Sequence, residues 1–425
     1  MGRELTKRHA ALFRNTLRNP FAFARDVYQY GKLRELTSFV VWELFHKLGL
    51  FPASRYLRFD DTRPFALDGR TAPPLAEQPE LEAVFKTRGL SLTRTAHNWK
   101  LLFLTPAGEL FGCVYPDDHA LFRSTDGGES LQALDRFPES IKSIFVSSRG
   151  SVFVSAKGAL HKSADGGQSF TKAFDFGSSE SFFRHNNAMT ETPDGTLIAG
   201  EYGNVWEGTR WRKLAYLYFS SDHGDTWRRS DFLIQRGANK HVHLVKYSRA
   251  LNKVFVADGD NRKRLWVCDA SAATNLEDPA HWRLVNRFHI QMGGYTSIVD
   301  TEDGVLFGTD YQGGTNFTVA TRDSRTFEKA VVPDPYRRSP IDNMVSRSSG
   351  KRAEVWANLP YSTVNTMALL MYTANGGRSW QRLIEYRRSS HKVWLLSAST
   401  HSTADLYLSV ENLRNADRVV YRIRG

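Results

Sequence analysis

The sequence contains only two cysteines among its 425 residues, Cys113 and Cys268. Two cysteines cannot form a network of disulfides, so the small disulfide-stabilised secreted domains are excluded as a class. Each cysteine lies in a short apolar run typical of a strand, and no metal-binding or redox motif surrounds it. We therefore expect two buried free thiols.

Long hydrophobic runs are also missing from the sequence. The longest uncharged run near the N-terminus, residues 36–42, is far shorter than the roughly 20 residues that a membrane-spanning helix needs. The first ten residues are charged and lack the apolar stretch and the small-residue cleavage site of a secretory signal. We expect a cytoplasmic protein, or one that is peripheral to the inner face of a membrane.

Phosphate-binding and nucleophile motifs are absent too. The sequence has no Walker-type loop, no dinucleotide fingerprint and no G-x-S-x-G elbow. Nucleotide cofactors are therefore not expected. With 41% hydrophobic and 12% aromatic residues, the chain has enough apolar material for a packed core, which excludes disorder as its main state.

Positive charge is concentrated at the N-terminus. The whole chain carries a formal net charge of +12, and its first 58 residues hold eleven basic and four acidic residues, a net +7. Residues 1–54 are predicted to be a basic amphipathic helical extension, because leucine and valine recur at helical spacing between positions 33 and 48. Residues 1–50 would then either contact an anionic membrane surface or pack on the main domain with a solvated basic face. Nucleic-acid binding is not expected, since the charge is not interleaved with aromatics along a groove.

The rest of the chain divides into two parts. Residues 55–98 contain four prolines and are predicted to be a linker and ring-closing segment, with residues 56–59 as a closing strand. From residue 99 to residue 425, runs of four to seven apolar residues alternate with clusters of Gly, Asp and Ser, a pattern typical of an all-β domain.

A short motif recurs through the β region. Residues 124–131 read STDGGESL, residues 163–170 SADGGQSF, residues 220–227 SSDHGDTW and residues 373–380 TANGGRSW, and residues 321–327, TRDSRTF, form a copy that is one residue short. In each copy the Asp or Asn is suited to accept hydrogen bonds from a turn; Gly, where it occurs, permits a positive φ, and the aromatic residue that ends most copies fills space between sheets. The motif resembles the Asp-box (BNR) repeat of the sialidase-like β-propellers. This resemblance covers roughly residues 100–425 and implies that the repeated turns lie at the end of the ring opposite the ligand.

The number of blades follows from the strands. Seven pairs of apolar runs occur along the chain, and six of them precede a copy of the turn or the place of one. We therefore predict an all-β fold, a seven-bladed β-propeller of the sialidase-like type with an N-terminal helical extension.

The end of the ring opposite the repeated turns is predicted to hold the functional site. Residues just before each first strand and just after each second strand of a blade should gather there. This set mixes carboxylates, His, Tyr, Arg and Asn, which suits sugars because hydroxyl groups need polar partners and sugar rings stack on aromatics. An acidic oligosaccharide or polysaccharide is the expected partner. The residues expected to bind it are Arg184, Asn186, His241, Asp258, Asp260, Tyr295, Arg338, Asn358 and Tyr361.

The histidines support three interpretations. His241 and His243 are two apart on a predicted strand and should point to the same side. With His185 from the preceding blade they would form a divalent metal site, a metal-free proton-transfer cluster, or ordinary hydrogen-bonded residues of the channel. No other cofactor is expected.

Two acid–tyrosine pairs suggest glycoside hydrolysis. Glu201–Tyr202 and Asp310–Tyr311 each follow a second strand, two blades apart, and would supply an acid and a base or nucleophile across the channel. The alternative for both pairs is a surface turn whose carboxylate caps the backbone. The predicted catalytic residues are therefore these four together with His185 and His243.

The arginines favour an acidic substrate but depart from the sialidase pattern. Sialidases of this fold carry a Phe/Tyr-Arg-Ile-Pro element and three arginines, whereas here Arg184 stands in Phe183-Arg184-His185-Asn186 and only Arg338 is a second candidate to grip a carboxylate. A glycoside hydrolase acting on a uronic or sialic-type glycan is the first hypothesis. The alternatives are a polysaccharide lyase that uses His and Tyr for β-elimination, and a non-catalytic propeller that binds glycan or protein.

Overall fold

Seven β-sheets arranged as blades around a central channel form the fold, as the computed structural model of the chain shows. It describes residues 33–67, 79–208, 211–238, 240–259, 264–271, 274–285, 294–311, 314–349, 352–362 and 365–425. Within each blade the chain runs antiparallel from strand to strand, and the first strands of neighbouring blades contact one another around the channel. The prediction of a seven-bladed β-propeller is confirmed.

Blades 1 to 4 each contain four antiparallel strands, which follow one another from the channel outward, and in blade 1 Ser397–Ala398 adds a fifth strand parallel to Trp99–Leu104. Blade 1 contains Trp99–Leu104, Leu110–Val114, Ala120–Ser124 and Gln132–Arg136; blade 2 contains Ser143–Val146, Val152–Ala156, Ala159–Ser163 and Thr171–Asp175; blade 3 contains Met189–Glu191, Leu197–Gly200, Leu217–Ser220 and Arg228–Ser230; blade 4 contains Val242–Ser248, Lys253–Asp258, Leu265–Asp269 and Arg283–Leu284.

Blades 5 to 7 complete the ring. Blade 5 contains Gly294–Asp300, Val305–Asp310, Phe317–Thr321 and Glu328–Val331; blade 6 contains Asn343–Ser349, Arg352–Leu359, Ala368–Thr373 and Gln381–Tyr386; blade 7 contains His391–Leu395, Leu406–Asn412, Arg418–Arg424 and Ser91–Arg94. Inner strands are covered on both faces by neighbouring blades, which explains why they are runs of apolar residues rather than alternating ones.

The ring is closed by a strand from the N-terminal side, but not by the one expected. Ser91–Arg94 pairs antiparallel with Arg418–Arg424 and forms the outer strand of blade 7. Residues 56–59 make isolated bridges instead, Tyr56 with Val331 of blade 5 and Phe59 with Trp380 of blade 6. The assignment of 56–59 as the closing strand is therefore wrong. Phe65–Leu67 adds a fifth strand, parallel to Gln381–Tyr386, to blade 6.

Three α-helices lie outside the sheets of the described chain: α1 is Leu33–Lys47, α2 is Pro79–Lys86 and α3 is Phe232–Gln235. Single 3-10 turns occupy Ala53–Arg55 and Pro279–His281. The buried Leu81 and Phe85 of α2 pack on blade 6, where the ring of Phe85 lies 6.3 Å from that of Trp356.

Helix α1 packs on blade 5 by a polar and aromatic face. Glu43 accepts hydrogen bonds from Arg337 at 2.6 Å and from Arg338 at 3.0 Å, and Trp42 packs edge-on against Phe317. On its outer side, Val40 and Leu44 are about half exposed. The helical spacing thus predicted the helix, in which Val40 and Leu44 face outward while Trp42 packs on blade 5. The basic residues of 1–32, on which a basic face was predicted, lie outside the described residues. No helix among the described residues is long and apolar enough to cross a membrane.

The repeated motif forms the same turn in each blade where it occurs. In blade 2, Asp165 accepts from the backbone N–H groups of Gln168 and Ser169, both at 3.0 Å, while Ser163 Oγ accepts from Gly167 N–H at 2.8 Å. The shortened copy in blade 5 is built alike around Asp323. Both cysteines are buried and free, as expected, and burial raises the pKa of Cys113 to about 12.

Candidate functional site

The segment between blades 2 and 3 crosses the central channel. Arg184 donates to the carboxylate of Asp342 at 3.0 Å, and Asn186 donates to Asn343 Oδ1 at 2.9 Å. Both acceptors lie at the start of blade 6, three blades away around the ring, so these contacts must span the channel. Asn186 has a positive φ of 67°, which turns the chain back toward blade 3.

His185 belongs to this crossing segment and is held by backbone. The N–H of Ile144 points at its Nδ1 at 3.3 Å, and its Nε2 lies 3.0 Å from the carbonyl oxygen of Leu102. A carbonyl can only accept, so Nε2 carries the proton and the ring is neutral. Burial lowers the pKa of His185 to about 4, which agrees with a neutral ring that ties the first strands of blades 1 and 2 together.

His241 and His243 form a hydrogen-bonded pair at the start of blade 4. Their Nε2 atoms lie 2.9 Å apart, and His241 Nδ1 lies 2.7 Å from the carbonyl oxygen of Gly203. Since that carbonyl needs a donor, His241 Nδ1 carries a proton, and in a neutral pair the proton between the rings then belongs to His243. Both side chains are buried, with 1% and 2% exposed.

Tyr202 packs against the His241–His243 pair and is the most exposed of the three rings. Its ring lies 4.0 Å from the ring of His241 and 5.9 Å from that of His243, and it is only half-buried. The guanidinium carbon of Arg184 lies 5.7 Å from the centre of the Tyr202 ring. Tyr202, Arg184 and the imidazole pair, which we call the His–Tyr cluster, therefore lie close together, whereas His185 is held by backbone groups of blades 1 and 2.

The last residue of the strand Lys253–Asp258 and the glycine that follows it lie next to the His–Tyr cluster. Asp258 is buried and accepts from Arg264 through Nε and through the backbone N–H, both at 2.7 Å. Gly259 packs against the imidazoles so closely that a Cβ there would lie 2.4 Å from His243 and 2.7 Å from His241. A glycine is required at this point for space, not for its φ. Asp260 lies outside the described residues.

Glu201 lies inside blade 3 and is not exposed at the end of the propeller where the His–Tyr cluster lies. It is fully buried, and its carboxylate accepts from the Tyr218 hydroxyl at 2.7 Å and from the Gly177 N–H at 3.1 Å. Burial raises the pKa of Glu201, although hydrogen bonds from Ser181, Tyr218 and Gly177 act in the opposite direction. A carboxyl in this position supports blade 3 and does not face a substrate.

His185, His241 and His243 are not arranged to hold the divalent metal ion that was one interpretation of these histidines. Both ring nitrogens of His185 are engaged by backbone groups of Ile144 and Leu102. Across the described part of the chain, no three His, Cys, Asp or Glu side chains are grouped so that they could hold a metal ion.

The remaining predicted residues are divided between the rim and the core. Asp310 and Tyr311 are partly buried at the rim of blade 5, where Tyr311 N–H donates to Asn316. Arg338 pairs with Glu43 of α1, and Tyr361 N–H donates to Ser339 Oγ. Tyr295 is only 2% exposed and packs against Phe307, and Asn358 is fully buried and donates to Val393 O. The placement of Tyr295 and Asn358 on the open face is therefore corrected, because both belong to the core.

Sequence reasoning missed a cavity of about 1080 Å³, which opens at the end with the repeated turns. Lys246, Arg249 and His401 are among its lining residues. The one available signal was Lys246, a cation in the otherwise apolar first strand of blade 4. Arg264 was missed as well, since its partner Asp258 lies six residues away across a turn.

Comparison with known proteins places the chain among the seven-bladed β-propellers. No protein-family model and no curated protein matches its sequence. Virginiamycin B lyase from Staphylococcus aureus superposes with a TM-score of 0.52 at 10% identity, covering 79% of this chain and 99% of the lyase. A catalytically inactive variant of that lyase with quinupristin gives 0.53 at 11% identity, with coverages of 79% and 99%.

A chain of the mitotic checkpoint complex is also similar, with a TM-score of 0.51 at 11% identity, covering 88% of this chain and 100% of that one. Identities this low show the fold alone. The fold is shared by enzymes and by proteins that are not catalysts, so function has to be argued from the site.

Proposed function

We propose that the protein is a carbohydrate-active lyase that cleaves a uronate-containing glycan by β-elimination at the His–Tyr cluster. The observation that carries the proposal is the stack of Tyr202 on His241, itself hydrogen-bonded to His243, beside the guanidinium of Arg184. The cluster brings proton-transfer groups and a cation together, which is what elimination next to a carboxylate requires.

Elimination would begin at the carboxylate of the substrate. Arg184 would pair with this uronate group and stabilise the negative charge that develops when the neighbouring C5 proton is removed. A group of the cluster would take that proton. The bond from C4 to the glycosidic oxygen would break, a C4–C5 double bond would form, and the leaving oxygen would receive a proton.

The geometry supports elimination better than hydrolysis. A glycoside hydrolase needs two carboxyl groups on either side of the scissile bond. Glu201, one of the two expected acids, is fully buried under Tyr218 and Gly177, whereas Tyr202 is half-buried at the face. A lyase with the same fold, and an inactive variant of it, provides a precedent for elimination on a propeller, at the level of the fold only.

A binding propeller without turnover is the second candidate. It is favoured by the burial of both imidazoles and by the ion pair that already holds Arg184 to Asp342. In this alternative, Tyr202 would be a stacking platform for a sugar ring.

The test is incubation of the full chain with a panel of uronate polymers, sialylated glycans and neutral glycans. The lyase predicts products with the ultraviolet absorbance of an unsaturated uronate, formed from uronate polymers alone and lost in Tyr202→Phe and His243→Gln. His281→Ala, an exposed histidine far along blade 4, is the matched control and should retain activity. New reducing ends without that absorbance would establish hydrolysis, and saturable binding without product would establish the binding propeller. Either result would overturn the lyase.

A further inference from the structure

The cavity of about 1080 Å³ lies at the opposite end of the channel from the His–Tyr cluster. Its walls come from the first strands and turns of blades 4, 5 and 6 and from residues 397–403 of blade 7. Its volume is at the upper end of the range usual for pockets that bind small molecules. The charged and titratable residues facing it are Lys246, Tyr247, Arg249, Asp300, Glu302, Asp303, Arg322, Arg378 and His401.

Lys246 forms the inner end of this cavity. Its ammonium group donates to the backbone oxygens of Asn186 and Ser399, both at 3.1 Å. Through Asn186, the amine is attached to the segment that crosses the channel, so the cavity is closed on the side of the His–Tyr cluster. Carbonyl oxygens solvate the ammonium but do not neutralise its charge.

Two of the three acidic residues of the cavity wall already have partners in the protein. Asp300 accepts from Ser248 Oγ at 2.5 Å and from the Arg249 backbone N–H at 2.8 Å, and Asp303 pairs with Arg322 at 2.9 Å. Within the described residues, no carboxylate is in ion-pair contact with the side chains of Lys246 or Arg249. The lining cations, Lys246, Arg249, Arg322 and Arg378, outnumber the three carboxylates by one, and of these carboxylates only Asp303 forms an ion pair with one of them among the described residues.

Burial first, and the neighbouring cations after it, disfavour the charged forms of Lys246 and His401. Burial lowers the pKa of Lys246 to about 8, with Asp300 opposing this shift and Arg249 adding to it. Burial, Arg249 and Lys246 all lower the pKa of His401. An anion placed among the three would relieve the repulsion and favour the protonated forms of both groups.

Hydroxyl groups line the same region. Ser399, Thr400 and Ser402 face the cavity next to His401, and Ser399 Oγ lies 2.9 Å from His401 Nδ1. Ser402 Oγ is buried and has no hydrogen-bond partner among the residues that the structure describes. Such a group is ordinarily satisfied by a ligand or by water.

We infer that this cavity binds a small polyhydroxylated anion, with its acidic group between Lys246, Arg249 and His401 and its hydroxyl groups against Ser399, Thr400 and Ser402. Both a sugar acid and a sugar phosphate have this chemistry. The site is separate from the His–Tyr cluster and does not depend on the function proposed for it. Because binding favours protonated Lys246, whose pKa is lowered to about 8, affinity should rise as the pH falls from about 9 to about 7.

Calorimetric titration of the full chain tests this inference, with glucuronate, glucose 6-phosphate, inorganic phosphate and neutral glucose as ligands. Saturable binding of glucuronate or glucose 6-phosphate is expected, stronger at pH 7 than at pH 9, and the two ligands distinguish the carboxylate source from the phosphate source. Arg249→Ala should weaken it about ten-fold or more, since one charge-assisted contact is lost. Arg249 is exposed, so its replacement should not disturb folding. Lys246→Met is less suitable, because it also removes a hydrogen bond to Asn186 of the crossing segment and another to Ser399.

Arg149→Ala is the matched control, because Arg149 is exposed in the corresponding turn of blade 2 and does not line the cavity. This variant should bind like the unmodified protein. The inference is overturned if neither sugar anion binds, if glucose or inorganic phosphate binds as tightly as both, or if Arg249→Ala and Arg249→Glu leave the affinity unchanged.

Discussion

Arg184 and Asp342 form an ion pair of 3.0 Å that joins the start of blade 3 to the start of blade 6. Arg184 also donates to the carbonyl oxygen of Thr296 in blade 5, at 3.3 Å. One side chain therefore connects three blades across the channel while its guanidinium remains beside Tyr202. The contacts that Arg184 makes across the channel thus also orient its guanidinium in the proposed site.

Arg184→Ala is expected to lower the free energy of unfolding by about 1–3 kcal/mol, because charged hydrogen-bond partners are left unsatisfied. Denaturant unfolding measures this loss. A double-mutant cycle with Asp342→Ala should show coupling between the two residues, since they contact each other directly. Strict additivity of the two single changes would contradict the contact.

The fold could be predicted because its determinants are local. Each repeated turn closes on itself within four residues, as Asp165 does with Gln168 and Ser169, so the motif specifies its own structure wherever it occurs. The proximity of Tyr202 to His241 was also within reach, since both lie next to first or second strands of adjacent blades.

The rest of the candidate site could not be predicted, because it depends on contacts between distant residues and on where each strand begins. The partner of Arg338 is Glu43, which is 295 positions away in α1. Tyr295 was placed before the first strand of blade 5, but that strand begins at Gly294 and is covered on both faces by neighbouring blades. Tyr295 consequently lies in the core.

His185 should make the protein less stable in mild acid. Its pKa is about 4 in the folded protein and ordinarily about 6.5, so the unfolded chain binds more protons between these values. Stability is therefore complete above about pH 6.5 and falls as the pH drops toward 4, by about 3 kcal/mol at most.

The measurement for His185 is the free energy of unfolding from pH 7 to pH 5, compared with His185→Gln. The glutamine keeps a donor for Leu102 O but cannot titrate, so this variant should be less stable at pH 7 and lose less on acidification. Parallel curves for the two proteins would show that His185 does not titrate as stated.

The repeated turns should contribute to stability at neutral pH and lose that contribution in strong acid. Hydrogen bonds from backbone and hydroxyl groups hold the pKa of Asp165 well below its usual range and lower that of Asp323 to about 2. A lowered carboxyl pKa stabilises the fold above the unfolded value near 4, and this contribution is lost as the pH falls toward 2.

Asn375 provides the internal control for these turns. It accepts from Ser379 N–H at 3.0 Å and donates through Nδ2 to Ser379 Oγ at 2.9 Å, so an amide can replace the carboxylate. Asp165→Asn should therefore lower the unfolding midpoint less than Asp165→Ala at pH 7, and should be less sensitive to acid than the unmodified protein. Equal losses for both variants would indicate that the side-chain hydrogen bonds contribute little.

We propose finally that the N-terminal region binds an anionic membrane through α1. Val40, Leu44 and Leu48 form a row at helical spacing in which 44%, 50% and 66% of each residue is exposed. Residues 1–32, which precede this row in the sequence and lie outside the described residues, contain seven basic and two acidic residues. Apolar insertion together with basic charge favours an anionic surface, by about 1 kcal/mol for each cation close to it.

Vesicle sedimentation tests this contact. The full chain should bind vesicles that contain phosphatidylglycerol more strongly than neutral phosphatidylcholine vesicles, and salt should weaken the binding because surface charges are screened. Leu44→Glu with Leu48→Glu should abolish it, whereas Leu413→Glu, at an exposed leucine in blade 7, should not. Unchanged vesicle binding in the double variant would contradict the proposal. If the double variant changes the oligomeric state of the protein and not its vesicle binding, the row of apolar residues is a contact between protein chains. Since Glu43 of the same helix holds Arg338, four residues before Asp342, binding would bring a membrane close to the loop that orients Arg184.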